Sequence, residues 1–357
     1  MDRIRVGLVG CGHIGRFHSR NIRAVVRSEL LPVDYVGVAD RDLSRAQDFA
    51  ALTGVEHVAE SAEELFERAS LDAVYICTET AEHPALVSLA ASRGLAIFCE
   101  KPLGVNSRAV KAMGDAVNEA GVTNQVGLIL RTSPVYTVLK SMIESEDLGA
   151  LLHAHLRDDQ FFPIKGHYQS SWRGDVARAG GGTLLEHSIH DVDLFRWLFG
   201  EIHGVRCQTR NVAGHPGIED VALVTFDHEG GHQTTLASVW HDVDARPSSR
   251  GLEVFYQRGW FATNSDFLGS LTYQLADGPE TTISDNEVFD RYVAIEGLSD
   301  EEAELARAGV LADYRFLRAA SLKEPAFPDF DTASRAHAVV DSAYQSAADK
   351  GNLQIVR

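Results

Sequence analysis

Cysteine is scarce in this 357-residue chain, and its four cysteines (Cys11, Cys77, Cys99, Cys207) form no Cys-x-x-Cys pair. No disulfide framework is legible, and three of the four end apolar runs, where a free thiol acts as a small buried hydrophobe. A reducing cytoplasm is the expected location. Long apolar runs are also missing. None approaches the roughly 20 residues of a membrane span, so no membrane partner is expected. Positive charge is in deficit: 33 Lys and Arg face 51 Asp and Glu, a formal net charge of -18. Phosphate backbones and anionic membranes are repelled overall, which argues against nucleic acid as a partner. The opening "MDRIRVGLVG" runs straight into a strand pattern without a signal-peptide layout. No internal repeat or low-complexity linker is visible. What remains is 45% hydrophobic and 24% charged. That is a globular composition, in a chain too long for one ordinary core.

The texture changes near residue 130. Before it, apolar runs such as "IRVGLVG", "DAVYICT" and "LAIFCE" alternate with helical stretches. Asp42 and a Ser61/Glu64 capping box mark two helix starts, and Gly54 and Gly94 mark two ends. Strands alternating with helices imply a parallel sheet covered on both faces. After a helix with Ser133 as its cap and Pro134 in its first turn, strands such as "DVALVTFDH" and "HQTTLASVW" alternate polar and apolar residues. That is the pattern of an antiparallel sheet. The patterning therefore predicts an α/β domain over 1–130, followed by a second domain with a mostly antiparallel sheet over 131–357. The last helix is expected to pack back near the junction.

"VGLVGCGHIG" places Gly10, Gly12 and Gly15 in Gly-x-Gly-x-x-Gly spacing, after a strand and before a helix. In that context the motif is strong. Gly10 permits the tight turn, Gly12 the approach of a pyrophosphate, and Gly15 close helix–strand packing. His13 and Ile14 fill the intervening positions and belong to the same candidate cofactor site. The helix N-terminus offers amides and partial positive charge to phosphates. Asp40 ends the second strand, 25 residues after Gly15 (40 − 15), where a carboxylate accepts ribose hydroxyls and repels a 2′-phosphate. Arg41 follows, and an adjacent arginine tolerates NADP. NAD is the expected cofactor, with NADP possible.

The strand "LAIFCEKPLG" ends in Glu100-Lys101-Pro102, a charged pair where such sheets bind ligands. Further on, "GGGTLLEHSIHDVDLFRWLFG" opens on three glycines and carries two histidines and three acids. Together with the glycine loop, these motifs resemble the glucose–fructose oxidoreductase/inositol dehydrogenase/rhizopine catabolism (Gfo/Idh/MocA) family over nearly the whole chain. The resemblance implies an α/β Rossmann domain followed by an α+β domain with a large open, mostly antiparallel sheet, and NAD(P)-dependent oxidation or reduction of sugars and cyclitols. It also implies a homodimer or homotetramer formed through the open sheet. By the same resemblance, Lys101 touches nicotinamide and substrate, and His190 is the acid/base. Glu186 stands where the family usually has aspartate. Thr78 and His83 match a Thr-Pro-Asn-x-x-His motif, from which Glu79 and Thr80 depart.

Three readings of Gly180–Asp193 compete: a metal set, a solvated face, and a catalytic site. Glu186, His190 and Asp193 have i, i+4, i+7 spacing and would share one helical stripe. One short helix offers too few ligands for zinc, so no metal is expected. A solvated face suits His187 and Asp191. The catalytic reading assigns His190 as base, Lys101 as the group facing the developing alkoxide, and Glu186 as orienting residue. Asp193 is placed near the imidazole or the substrate. Arg131, Tyr168, Trp172 and Arg173 are further candidates for a polyhydroxylated substrate. The leading function is therefore a dehydrogenase or reductase acting on CH–OH groups. The alternatives are a non-catalytic ligand-sensing regulator, disfavoured by Lys101 and His190, and redox-neutral glycoside cleavage, which a product assay separates.

Overall fold

The computed structural model describes residues 3–166 and 168–357; His167, in the "HYQSSWRGD" segment, lies outside them. The chain forms two compact units, Met1–Gly127 with Leu298–Ser334, and Leu128–Gly297 with Arg335–Arg357.

The first unit is built on six parallel strands: β1 (Ile4–Val9), β2 (Val33–Ala39), β3 (His57–Ala59), β4 (Ala73–Ile76), β5 (Ala96–Cys99) and β6 (Asn124–Val126). Their order is β3-β2-β1-β4-β5-β6, so the winding reverses between β1 and β4. β4 and β5 are buried at every position, as the unbroken apolar runs require of strands covered on both faces. The helices start and stop where the punctuation predicts. Asp42 caps Leu43–Thr53, Ser61 caps Ala62–Arg68, and Gly54 closes the former with φ +74°.

The boundary between the units differs from the sequence reading, which carried the second domain unbroken from 131 to 357. Residues 298–334 belong with the parallel sheet. The helix Leu311–Leu322 lies against the helix His13–Ser28, and its burials explain the return of the chain. Phe316 sets its ring edge against both Tyr75 and Phe98, at 5.3 and 5.6 Å between centroids. Each such buried aromatic contributes roughly 1.5–3 kcal/mol. Asp313 reaches His18 (2.6 Å) and accepts from Asn21 (2.8 Å). The other ring nitrogen of His18 meets Glu100 at 2.8 Å.

The second unit holds a nine-stranded sheet: β7 (Leu151–Phe161), β8 (Ile202–Arg210), β9 (Val221–His228), β10 (Gln233–His241), β11 (Ser249–Tyr256), β12 (Gly259–Thr263), β13 (Leu271–Leu275), β14 (Thr281–Ile283) and β15 (Gln354–Ile355). The order is β14-β13-β12-β11-β7-β10-β9-β8-β15. Only β7 and β10 pair in parallel; the other neighbours are antiparallel. Alternation puts Thr234, Leu236, Ser238 and Trp240 of β10 on the buried face. Phe226 of β9 is on that face too, with Phe195 edge-on to it at 5.8 Å. The opposite face stays open, with Leu223 and Phe255 exposed. Ser133 precedes Pro134–Ser145 as expected, but its hydroxyl donates to the Phe267 carbonyl instead of capping the helix. No helix among the described residues is long and apolar enough to cross a membrane.

His18 is locked between two buried acids, Asp313 and Glu100. Burial alone would lower its pKa, but the charge and hydrogen bond of Asp313, then those of Glu100, raise it from 6.5 to about 10. A raised folded-state value means the imidazolium's contribution is whole below about pH 6.5 and is lost as pH rises toward about 10. We expect His18→Gln to cost about 3–5 kcal/mol near neutrality by leaving buried charges unmatched. In urea melts, the gap between wild type and variant should narrow from pH 7 to pH 10. A gap that is flat or widening with pH would contradict the charged assignment.

Candidate active site

The glycine loop has the backbone that its spacing implies. Gly10 sits at φ +99°, and a Cβ there would lie 2.5 Å from the Cys77 carbonyl oxygen. A Cβ on Gly15 would overlap the Gly10 carbonyl oxygen, so glycine is required where helix meets strand. Gly12 is different: nothing lies within 4 Å of its would-be Cβ, and it caps the helix His13–Ser28 without a side-chain hydrogen bond. The loop therefore presents open space in front of a helix N-terminus, the geometry a pyrophosphate needs. His13 is exposed and Ile14 half-buried in the first turn.

Asp40 is buried at the end of β2 and fixed by two amides, Cys11 N on Oδ2 (2.8 Å) and Asp42 N on Oδ1 (2.9 Å). A carboxylate has about four acceptor positions, so two remain for ribose hydroxyls. Arg41, mostly exposed, forms an ion pair with Glu79. Past β4, the buried Thr78 hydroxyl has no hydrogen-bond partner, as expected of a group awaiting a ligand. His83 is buried, with Nε2 and Nδ1 each 3.2 Å from the carbonyls of Thr78 and Leu103. It holds the loops after β4 and β5 in register. These residues fit a dinucleotide.

At the end of β5 the Glu100 carboxylate accepts from the Lys101 amide (3.0 Å) as well as facing His18. Burial pushes this carboxyl up, but the hydrogen bond and charge of His18, then Lys101, hold it below the usual range. Gly127 makes room, since a Cβ there would lie 2.5 Å from Glu100 Oε1. Lys101 is thus half-buried on a turn whose preceding residue is clamped.

In the second unit the glycine-rich run is explained by packing. A Cβ on Gly182 would overlap the backbone of Glu219, and one on Gly181 the Tyr344 hydroxyl. The Glu219 carboxylate accepts from the amides of Gly182 (2.7 Å) and Leu184 (2.9 Å) and from Tyr344 (3.0 Å). Sequence reading missed Glu219 and Tyr344, because nothing local marks them. The stretch that follows is not one helix. Thr183–Glu186 ends at His187, and Ile189–Phe199 starts afresh, with His190 buried in its first turn. The proposed i, i+4, i+7 stripe is therefore interrupted after its first member.

The acids of this stretch are each matched with an arginine. Glu186 accepts from Arg173 Nε at 2.9 Å, and the Arg173 guanidinium lies 4.4 Å over the Trp172 ring. Trp172 itself packs on Phe162, Ala179, Ile218 and Trp240. Tyr168 is half-buried just before them. Asp193 takes both arms of Arg131 (2.7 and 2.7 Å) and Arg196 NH1 (3.2 Å). Asp193 is 1% exposed and anchors Arg131, whose side chain is itself only 10% exposed. The solvated-face reading of His187 and Asp191 is corrected. His187 Nε2 meets Asp158 at 3.0 Å, and fully buried Asp191 accepts from Arg250 Nε at 2.8 Å. Burial, then the charge of neighbouring Asp158, pushes the Asp191 carboxyl well up. Asp158 remains ionised beside His187 and Arg250 despite its burial. Among the described residues no group of three or more His, Cys, Asp or Glu side chains could hold a metal ion.

Comparison with known proteins agrees with this architecture. Residues 4–128 match the Gfo/Idh/MocA oxidoreductase family with an NAD-binding Rossmann fold, and residues 136–262 match the Gfo/Idh/MocA C-terminal domain. The scyllo-inositol 2-dehydrogenase (NAD(+)) of Bacillus subtilis (strain 168) is 31% identical over 284 residues, 76% of this chain and 75% of that protein. The myo-inositol 2-dehydrogenase of Thermotoga maritima is 30% identical over 200 residues, 56% of this chain and 55% of its own length. An uncharacterized oxidoreductase of B. subtilis (strain 168) is matched at 28% over 66% of its length. The solved structure of a levoglucosan dehydrogenase with NADH and levoglucosan has the same fold: TM-score 0.86 at 21% identity, over 99% of this chain and 100% of that one. The chain belongs to the Gfo/Idh/MocA family of NAD-dependent oxidoreductases.

The ion-pair geometry separates a structural Asp193 from a substrate-binding one. Asp193→Asn keeps shape but removes the carboxylate charge that faces Arg131 and Arg196, of which Arg196 keeps Glu201. It should destabilise the protein by about 3–5 kcal/mol in thermal melts. At a temperature where the variant is folded, KM for the alcohol should stay near wild type. A large rise in KM with unchanged melting would restore the substrate role.

Proposed function

We propose that this oxidoreductase transfers a hydride between nicotinamide and a secondary alcohol or ketone of a sugar or cyclitol, acting in a reducing compartment such as the cytoplasm. The inositol and levoglucosan dehydrogenases among its relatives act on compounds of this class. All four cysteines are buried free thiols, which suits such a compartment.

The observation that carries the reading is the match of acids to arginines around the His190 turn. The carboxylates of this stretch are committed to guanidinium partners: Glu186 to Arg173, Asp193 to Arg131 and Arg196, and Asp191 to Arg250. Histidine is the side chain whose charge changes near neutral pH, and His190 is the base this turn offers. NAD supplies the hydride acceptor at C4 of its nicotinamide. His190 takes the hydroxyl proton as the carbinol C–H bond breaks, and returns it in the reductive direction. Lys101 donates to the oxygen as it gains alkoxide character, a charge that exists fully only in the transition state. Glu186, clamped by Arg173, fixes the backbone entering the His190 turn and offers an acceptor for a neighbouring substrate hydroxyl. Asp40 accepts the adenosine ribose hydroxyls, and Thr78 offers its hydroxyl to the cofactor.

A screen of polyols and sugars monitored by NADH absorbance should find a substrate. With it, His190→Asn should lower kcat by roughly 10²–10⁴ and remove the acidic limb of the pH–rate profile. Lys101→Met should abolish turnover while NAD+ still binds, and a chelator should leave wild-type turnover unchanged. Near wild-type turnover in either variant would sink the assigned roles.

A further inference from the structure

The sequence puts an arginine directly after the ribose-binding aspartate, and so leaves the choice between NAD and NADP open at Arg41. The structure adds a residue that the cofactor motifs do not contain. Arg41 leaves the carboxyl end of β2, and Glu79 leaves that of β4, with β1 and its glycine loop between them. The strand order reverses there, and dinucleotides lie across that crevice. Arg41 NH2 and Glu79 Oε1 meet in an ion pair that spans it.

The two partners are unequal. The Arg41 side chain is 68% exposed, and that of Glu79 only 7%. The carboxylate is thus the fixed end and the guanidinium the captured one. A buried acid demands a cation, because an unmatched charge out of water is costly. Arg45, a second arginine beside Asp40, is engaged on the same side by Asp40 (3.6 Å) and Asp42 (3.7 Å). Arg41 and Arg45 therefore both face carboxylates.

We propose that Glu79 is a cofactor-specificity residue: by holding the Arg41 guanidinium it denies that cation to a 2′-phosphate and makes the site selective for NAD. This rests on the assignment of the glycine loop and Asp40 to the dinucleotide. It also gives a role to a residue at which the chain departs from the usual motif after β4.

Calorimetric titration of the full-length protein with NAD+ and with NADP+ tests the proposal without turnover. Glu79→Gln should tighten NADP+ binding by roughly 10- to 100-fold, the range of one charge-assisted hydrogen bond, and leave NAD+ affinity within about threefold. The gain should vanish in Glu79→Gln/Arg41→Ala. In the otherwise native protein, Arg41→Ala should leave the weak NADP+ affinity unchanged, because the captured guanidinium contributes nothing to it. That arm stands even if Glu79→Gln fails to fold. An unchanged NADP+ affinity in folded Glu79→Gln, a gain that survives loss of Arg41, or a tenfold weakening of NADP+ by Arg41→Ala alone would overturn the proposal. Wild-type protein that binds neither dinucleotide would overturn the cofactor assignment itself, a result distinct from any change in ratio.

Discussion

A carboxylate almost wholly removed from water has to be matched by a cation, and Glu100 is that carboxylate. It sits at the end of β5, directly before Lys101, with His18 on one oxygen and the Lys101 amide on the other. His18 comes from the helix that the glycine loop opens, and its second nitrogen is held by Asp313 from the returning segment 298–334. One buried arrangement of three charges thus ties the phosphate-facing helix, the Lys101 turn and the late helices together. Replacing such a cluster with apolar residues often preserves stability, so stability alone does not explain it. Orientation does: the cluster fixes where the helix that the glycine loop opens and the Lys101 turn lie relative to one another.

The second unit follows the same rule by other means. Its acids are matched with arginines, which stay charged and form planar, bidentate pairs. Arg131 grips Asp193 with two 2.7 Å bonds, and Arg250 reaches Asp191, Asp158 and Asp266 at once. The carboxylates around the turn are thereby held in fixed positions.

How much of this was legible in the sequence follows from where the information lies. The parallel sheet was readable because strands buried on both faces must be continuously apolar and their helices must carry caps; Asp42, Ser61 and Gly54 do what their residue types dictate. Gly10, Gly15 and Asp40 were readable because their spacing is set by local backbone geometry. The pairings Arg173–Glu186, Arg131–Asp193 and His18–Asp313 were not, since they join residues 13, 62 and 295 positions apart. The break at His187–Ser188 was hidden because the spacing of Glu186, His190 and Asp193 imitates a continuous helix. Asp191 read as solvated because its partner, Arg250, arrives from β11. The return of 298–334 to the first unit was invisible for the same reason: amphipathic helices do not say which sheet they cover.

Direct hydride transfer from a carbinol carbon of a polyhydroxylated substrate to the cofactor leaves an isotopic mark. A substrate carrying deuterium on the reacting carbinol carbon should yield NADH with one deuterium, on one face of nicotinamide C4 and with none exchanged to water, as read by mass spectrometry and NMR. Reduced cofactor without deuterium, or product formed with no net NADH, would contradict it.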